Sequence, residues 1–133
     1  MKSITKDYKK WMARKSIINN SSRRRSVREG DIWWAAVGEN VGVEIDGKNE
    51  KYSRPIIVLK KHTGLCFTAI PLTSQHHNGS WYAAFEFHGK AQTAVLIQSR
   101  LMDSSRLYDR IGRMSKKDFD FVRKKYINLF KKI

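Results

Sequence analysis

The chain has 133 residues, with 27 Lys and Arg against 12 Asp and Glu for a net charge of +15, and it is 41% apolar and 11% aromatic. That length supports one core and not two, and that apolar content excludes a disordered basic tail. The longest stretch without an acid, Lys or Arg, His62 to Phe85, is broken by Pro71, Thr73-Ser74-Gln75, His76 and His77, so it does not read as a membrane span of about 20 apolar residues. The first residues lack the apolar segment of a secretory signal and the single cysteine, Cys66, makes no internal disulfide, which leads us to expect a reducing cytoplasm.

Charge divides the chain into three. Residues 1–28 hold ten bases and one acid, residues 29–99 six bases and seven acids, and residues 100–133 eleven bases and four acids. Basic ends around a neutral middle suit a polyanion, because Lys and Arg displace condensed counterions from nucleic-acid phosphates. An acidic protein partner fits the same field. We read a basic N-terminal extension, residues 1–26, ahead of a single domain, residues 27–133.

In the extension, Ile4, Tyr8, Trp11, Met12 and Ile18 fall at near-helical spacing, and Asn19-Asn20-Ser21-Ser22 supplies turn formers. This predicts a short basic helix and then a flexible Arg-rich link. The second half of Val27–Val37 is β-prone, and the Gly-, Asp-, Asn- and Glu-rich stretch from Gly38 to Ser53 predicts a long loop, the first place to seek a site in so small a domain. Arg54–Lys60 and Leu65–Leu72 are near-continuous apolar runs, fit for strands buried on both faces. Ser80–His88 and Thr93–Gln98, on either side of a turn at Gly89-Lys90-Ala91, complete five expected strands. Ser115 with Asp118 then signals a capped helix whose Phe119, Val122, Tyr126 and Leu129 share one face. Together these predict a mainly β, α+β fold: a small sandwich or barrel with a C-terminal helix and a basic helical N-terminal extension.

Cys66, His62, His76, His77 and His88 show no familiar zinc spacing, and no glycine-rich phosphate loop occurs. What remains is polar groups at the ends of apolar strands: Arg54 opening one, Thr73-Ser74-Gln75 closing another, Gln98-Ser99-Arg100 closing a third. Guanidinium and hydroxyl donors in such places suit an anionic phosphorane. Each also has an ordinary reading, a loop ion pair for Arg54 and a simple turn for Thr73-Ser74-Gln75.

Four ordered blocks, GDIWWAAVG, GVEIDGKNEKYSRPIIVLKK, IPLTSQ and VLIQSRLMDSSRLYDRIGRMS, resemble the PemK/MazF family of type II toxin-antitoxin toxins. The resemblance implies a cytoplasmic homodimer of SH3-like barrels that cleaves single-stranded RNA without metal or cofactor, leaving 2′,3′-cyclic phosphate and 5′-hydroxyl ends, until an acidic antitoxin blocks it. It implies Arg54, Thr73 and Ser74 as catalytic groups. It further implies RNA contacts or local architecture from Glu44, Asp46, Lys48 and Lys51 in a mobile loop, and from Gln75, Gln98 and Arg100. The chain departs from the family pattern at Ile45, where glutamine is common, and at Ile97, where an acid often stands. Proton transfer then falls to Glu44, Asp46 or a histidine such as His76 or His77. Two other readings compete: a non-catalytic nucleic-acid-binding barrel with Trp33, Trp34 or Trp81 stacking on bases, and a protein-targeting toxin of the gyrase-poisoning kind.

Overall fold

A computed structural model describes residues 6–21, 24–49 and 51–131. Helix α1 (Tyr8–Asn20) precedes strands β1 (Asp31–Ala36), β2 (Ser53–Lys61), β3 (Cys66–Thr73), β4 (Tyr82–Phe87), β5 (Lys90–Val95), β6 (Arg100–Asp103) and β7 (Leu107–Arg113), and helix α2 (Lys116–Asn128) follows. The strands form one antiparallel sheet in the order β4-β5-β3-β2-β1-β7, with β6 beside the first half of β3. Among the described residues the fold is mainly β with two α-helices, a curled sheet carrying the C-terminal helix, as expected.

The two apolar runs behave as their composition requires. Ile57 and Leu59 of β2 and Ile70 and Leu72 of β3 enter one core cluster, while Ile56, Val58, Phe67 and Ala69 of the same strands enter a second. A strand buried on both faces has no polar side to alternate with. The expected stripe of α2 closes the first cluster: Val122 is fully buried, and Phe119, Tyr126 and Leu129 pack against it. Ser115 caps this helix, its hydroxyl accepting from Asp118 N at 3.1 Å.

Three expectations are corrected. Among the described residues there are seven strands and not five, because Arg100–Asp103 and Leu107–Arg113 pair with β3 and β1. The β4–β5 turn is His88-Gly89 alone, with φ of 51° and 76°, the left-handed pair of a two-residue hairpin, so Lys90 and Ala91 already belong to β5. Residues 96–98 form a single 3-10 turn in place of the end of a strand. Of the tryptophans, Trp11 and Trp33 are core, whereas Trp34 is 39% exposed and Trp81 lies at the surface. Ile4 of the expected N-terminal helix and Ser22 and Arg23 of the link lie outside the described residues; nearby, Arg24 pairs with Asp103 at 3.1 Å.

Helix α1 is docked on the barrel. Its one buried side chain, Trp11, lies over Gly38 and beside Tyr52, with ring centroids 5.4 Å apart. A Cβ on Gly38 would meet the indole at 2.3 Å, and its φ is +90°, so only glycine admits this contact.

Candidate active site

The register Ile56↔Pro71 brings the start of β2 alongside the end of β3. That places Arg54, Thr73 and Ser74 around one recess of about 490 Å³, together with Lys48, Trp34 and His88. Arg54 is half-buried, and it donates from Nε to Asp46 O at 2.9 Å and from Nη1 to Leu72 O at 3.2 Å. These two bonds use two of five guanidinium N–H groups and fix the plane of the fork. Desolvation holds the Arg54 guanidinium below its ordinary value, partly offset by the Asp46 charge. Thr73 Oγ1 accepts from Gln75 N at 3.2 Å. With a lone pair engaged, its hydroxyl proton remains for donation.

The other expected residues are distributed differently. Glu44, Gln98 and Arg100 line a second recess, of about 430 Å³, with Ile97. Gln98 is a clamp on the long loop, its Oε1 accepting from Ile45 N and its Nε2 donating to Val43 O, both at 3.1 Å. Glu44 is exposed and its Oε1 accepts from Val41 N at 2.9 Å. Burial lowers the Arg100 guanidinium, opposed by the Glu44 charge. Lys51 lies over the Tyr108 ring, 5.3 Å from its centroid, in a third recess. Gln75 is exposed, and its backbone reaches Thr73. His76 is exposed and His77 stacks on Tyr82 at 4.7 Å; neither lines the Arg54 recess. His88 does, stacked on Phe87 at 4.0 Å. Reading by sequence passed over it, although the Gly89 that follows marks a hairpin turn.

The loop between β1 and β2 is densely tied. Gly47 N donates to Gly38 O at 2.8 Å, Val37 N to Tyr52 O at 2.8 Å, and Asn40 Nδ2 to Ile45 O at 2.8 Å. A Cβ on Gly47 would fall 1.7 Å from Tyr52 O, so the turn closes only around glycine. Asp46 accepts from Asn40 N at 2.6 Å and pairs with Lys6 at 3.0 Å. The hydrogen bond and charge of Asp46 raise the Lys6 ammonium above its ordinary value, against a smaller desolvation cost. Asp46 is thus already neutralised by the N-terminal extension while its carbonyl orients Arg54. Among the described residues, no three His, Cys, Asp or Glu side chains gather as metal ligands, and no helix is long and apolar enough to cross a membrane.

Residues 28–130 match the family model for the PemK-like, MazF-like toxin of type II toxin-antitoxin systems. The chain belongs to this toxin family. Solved structures agree on the fold: MazF from Deinococcus radiodurans superposes with a TM-score of 0.65 at 20% identity, covering 79% of this chain and 96% of that one. The MazE–MazF complex from the same organism gives 0.59 at 19%, covering 79% and 95%. A mycobacterial endoribonuclease in complex with its cognate antitoxin gives 0.56 at 11%, covering 80% and 100%. No curated protein matches the chain in sequence. The match begins at residue 28, so helix α1, which docks on the toxin barrel through Trp11, lies outside the family model.

Proposed function

We propose that this chain is the RNA-cleaving toxin of a type II toxin-antitoxin pair, and that the Arg54 recess is where it cuts. What supports the reading most is the meeting, in one recess, of a guanidinium held by two carbonyls and the hydroxyls of Thr73 and Ser74. These are the donors a pentacoordinate phosphate needs.

The ribose 2′-oxygen attacks the adjacent phosphorus while losing its proton, charge accumulates on the equatorial oxygens, and the 5′-oxygen departs with a proton. The products are a 2′,3′-cyclic phosphate and a 5′-hydroxyl. Arg54 binds the equatorial oxygens in its remaining N–H fork, and Thr73 donates to one of them and sets the phosphate's orientation. Arginine is a poor proton carrier even when burial lowers it. Among the described side chains lining the recess, His88 carries a ring nitrogen able to accept and return a proton, and we assign it that role. Lys48 lends a further positive charge at the mouth.

Complexes of toxin with antitoxin among the structural neighbours support an antitoxin partner. Its docking segment is acidic in this reading, because it competes with RNA for a cationic surface; the active species is a homodimer in the cytoplasm. Arg54→Ala and Thr73→Val tested on an unstructured RNA should lose cleavage by about 10² or more for the arginine. Both should retain binding through the remaining basic residues. Undiminished cleavage by both variants would place the chemistry elsewhere.

A further inference from the structure

Three recesses of the surface join at Asn49. The Arg54 recess shares Trp34, Asn49 and Ser53 with a second of about 600 Å³ that holds Lys51 and Tyr108. That one shares Asn49 with a third, of about 550 Å³, lined by Lys10 and Arg14 of helix α1. Across the three, the bases Lys10, Arg14, Lys48, Lys51, Arg54 and Lys90 face only two acids among the described lining residues, Asp7 and Asp109. Asp7 is partly spent as the α1 cap, accepting from Lys10 N at 3.0 Å.

The path is built. Arg14 donates from Nε and Nη2 to Tyr108 Oη at 3.3 and 3.2 Å, and Tyr108 donates onward to Lys51 O at 3.2 Å. One phenol therefore ties helix α1 to the turn beside the site. Arg14 and Lys51 both lie against the Tyr108 ring, 5.6 and 5.3 Å from its centroid, so cations cover that ring. Trp34, 39% exposed and shared by the first two recesses, offers an open aromatic face.

We propose that these recesses form one groove for single-stranded RNA. The strand leaves the Arg54 recess, stacks a base on Trp34, and delivers a phosphate further along to Lys51, Arg14 and Lys10. Helix α1 is then an ordered extension of the RNA site and not a diffuse basic arm. This rests on the RNA-cleavage reading of the Arg54 recess and adds to it a direction and a length. Alternating base stacking and phosphate contact is how single strands are held without sequence readout.

The test is binding of unstructured 2′-O-methyl RNA oligonucleotides of increasing length to the full chain, whose capped hydroxyl prevents cleavage, at several salt concentrations. Affinity should climb with length until the strand reaches α1, then level off. Lys10→Glu with Arg14→Gln should remove that climb, weakening long strands by about tenfold or more and flattening the salt slope by about 1.4 for two lost phosphate contacts. Lys10→Glu alone keeps the test independent of folding, because the Lys10 side chain is 81% exposed; it should lose roughly half the slope change. Trp34→Ala should weaken binding and Trp34→Phe should restore most of it. The groove is overturned if the length dependence survives the α1 substitutions. If Arg54→Ala weakens the shortest strands in that case, the Arg54 site stands without the groove. If the unaltered chain binds no RNA at any length, both fall together.

Discussion

Replacing Trp11 by alanine should release helix α1 from the barrel and leave the sheet intact. Trp11 is 4% exposed and is the only buried side chain of a 13-residue helix. A buried tryptophan contributes roughly 150–250 Å² of apolar surface, about 4–6 kcal/mol at ~25 cal/mol per Å², and measured Trp→Ala losses in cores run about 3–5 kcal/mol. A helix of this length is marginal alone in water, so its own backbone bonds do little to keep it closed. The contacts of Arg14 with Tyr108, Tyr8 Oη with Asn40 O and Lys6 with Asp46 remain, but a single hydrogen bond contributes only about 1 kcal/mol. Amide hydrogen exchange should therefore show α1 protection falling by roughly two to four orders of magnitude, as about 3–5 kcal/mol requires. Exchange in β2 and β3 should barely change. If the α1 amides keep protection within about tenfold of the unaltered chain, the helix is held by something other than the indole, and the reasoning fails.

The remaining predictions concern the loop and its charges. Gly38→Ala, which puts a methyl 2.3 Å from the Trp11 ring at a φ of +90°, should mimic Trp11→Ala in α1 exchange. Gln98→Leu removes both bonds that hold Ile45 and Val43 and should cost about 1–3 kcal/mol. Its exchange effect should be confined to the loop between β1 and β2, with a rise in KM for RNA cleavage. Replacing His88 with glutamine should slow cleavage at least tenfold, on the order expected for losing a proton-transfer group, while RNA binding persists; an unchanged rate removes His88 from the proposal. Partial burial would raise the Asp103 carboxyl, but Ser105 N and Oγ and the charges of Arg24 and Arg106 outweigh it and hold the group below its usual 3.8. Its stabilising contribution is complete above that value and is lost as pH falls through the lowered one. Acid unfolding of Asp103→Asn should accordingly lose part of its pH dependence below about pH 4, as read from thermal midpoints.

Much of this fold is written in local pattern. The runs Arg54–Lys60 and Leu65–Leu72 and the Ser115-capped stripe of α2 announce themselves because composition and period there agree with burial. Strands β6 and β7 do not, since β6 has four residues and β7 alternates Asp109, Arg110 and Arg113 with few apolar groups; pairing with β3 and β1 makes them strands. Helix α1 was visible by spacing, but its docking depends on Gly38 leaving room for Trp11, a contact between distant residues that no periodicity reports. Arg54 and Thr73 were legible as strand-end donors. Their separation from Glu44, Gln98 and Arg100 was not, because it follows from how Gln98 folds the loop over the second recess.

The central claim is that the Arg54 recess makes RNA break its own backbone. Its most direct measurement is end-group analysis of an RNA incubated with the full chain in excess EDTA. Fragments should end in 2′,3′-cyclic phosphate, with a 5′-hydroxyl on the piece that follows, and should form at a rate that chelation does not change and that Arg54→Ala abolishes. Fragments with 5′-phosphate ends, or cleavage that stops when the chelator is added, would contradict it.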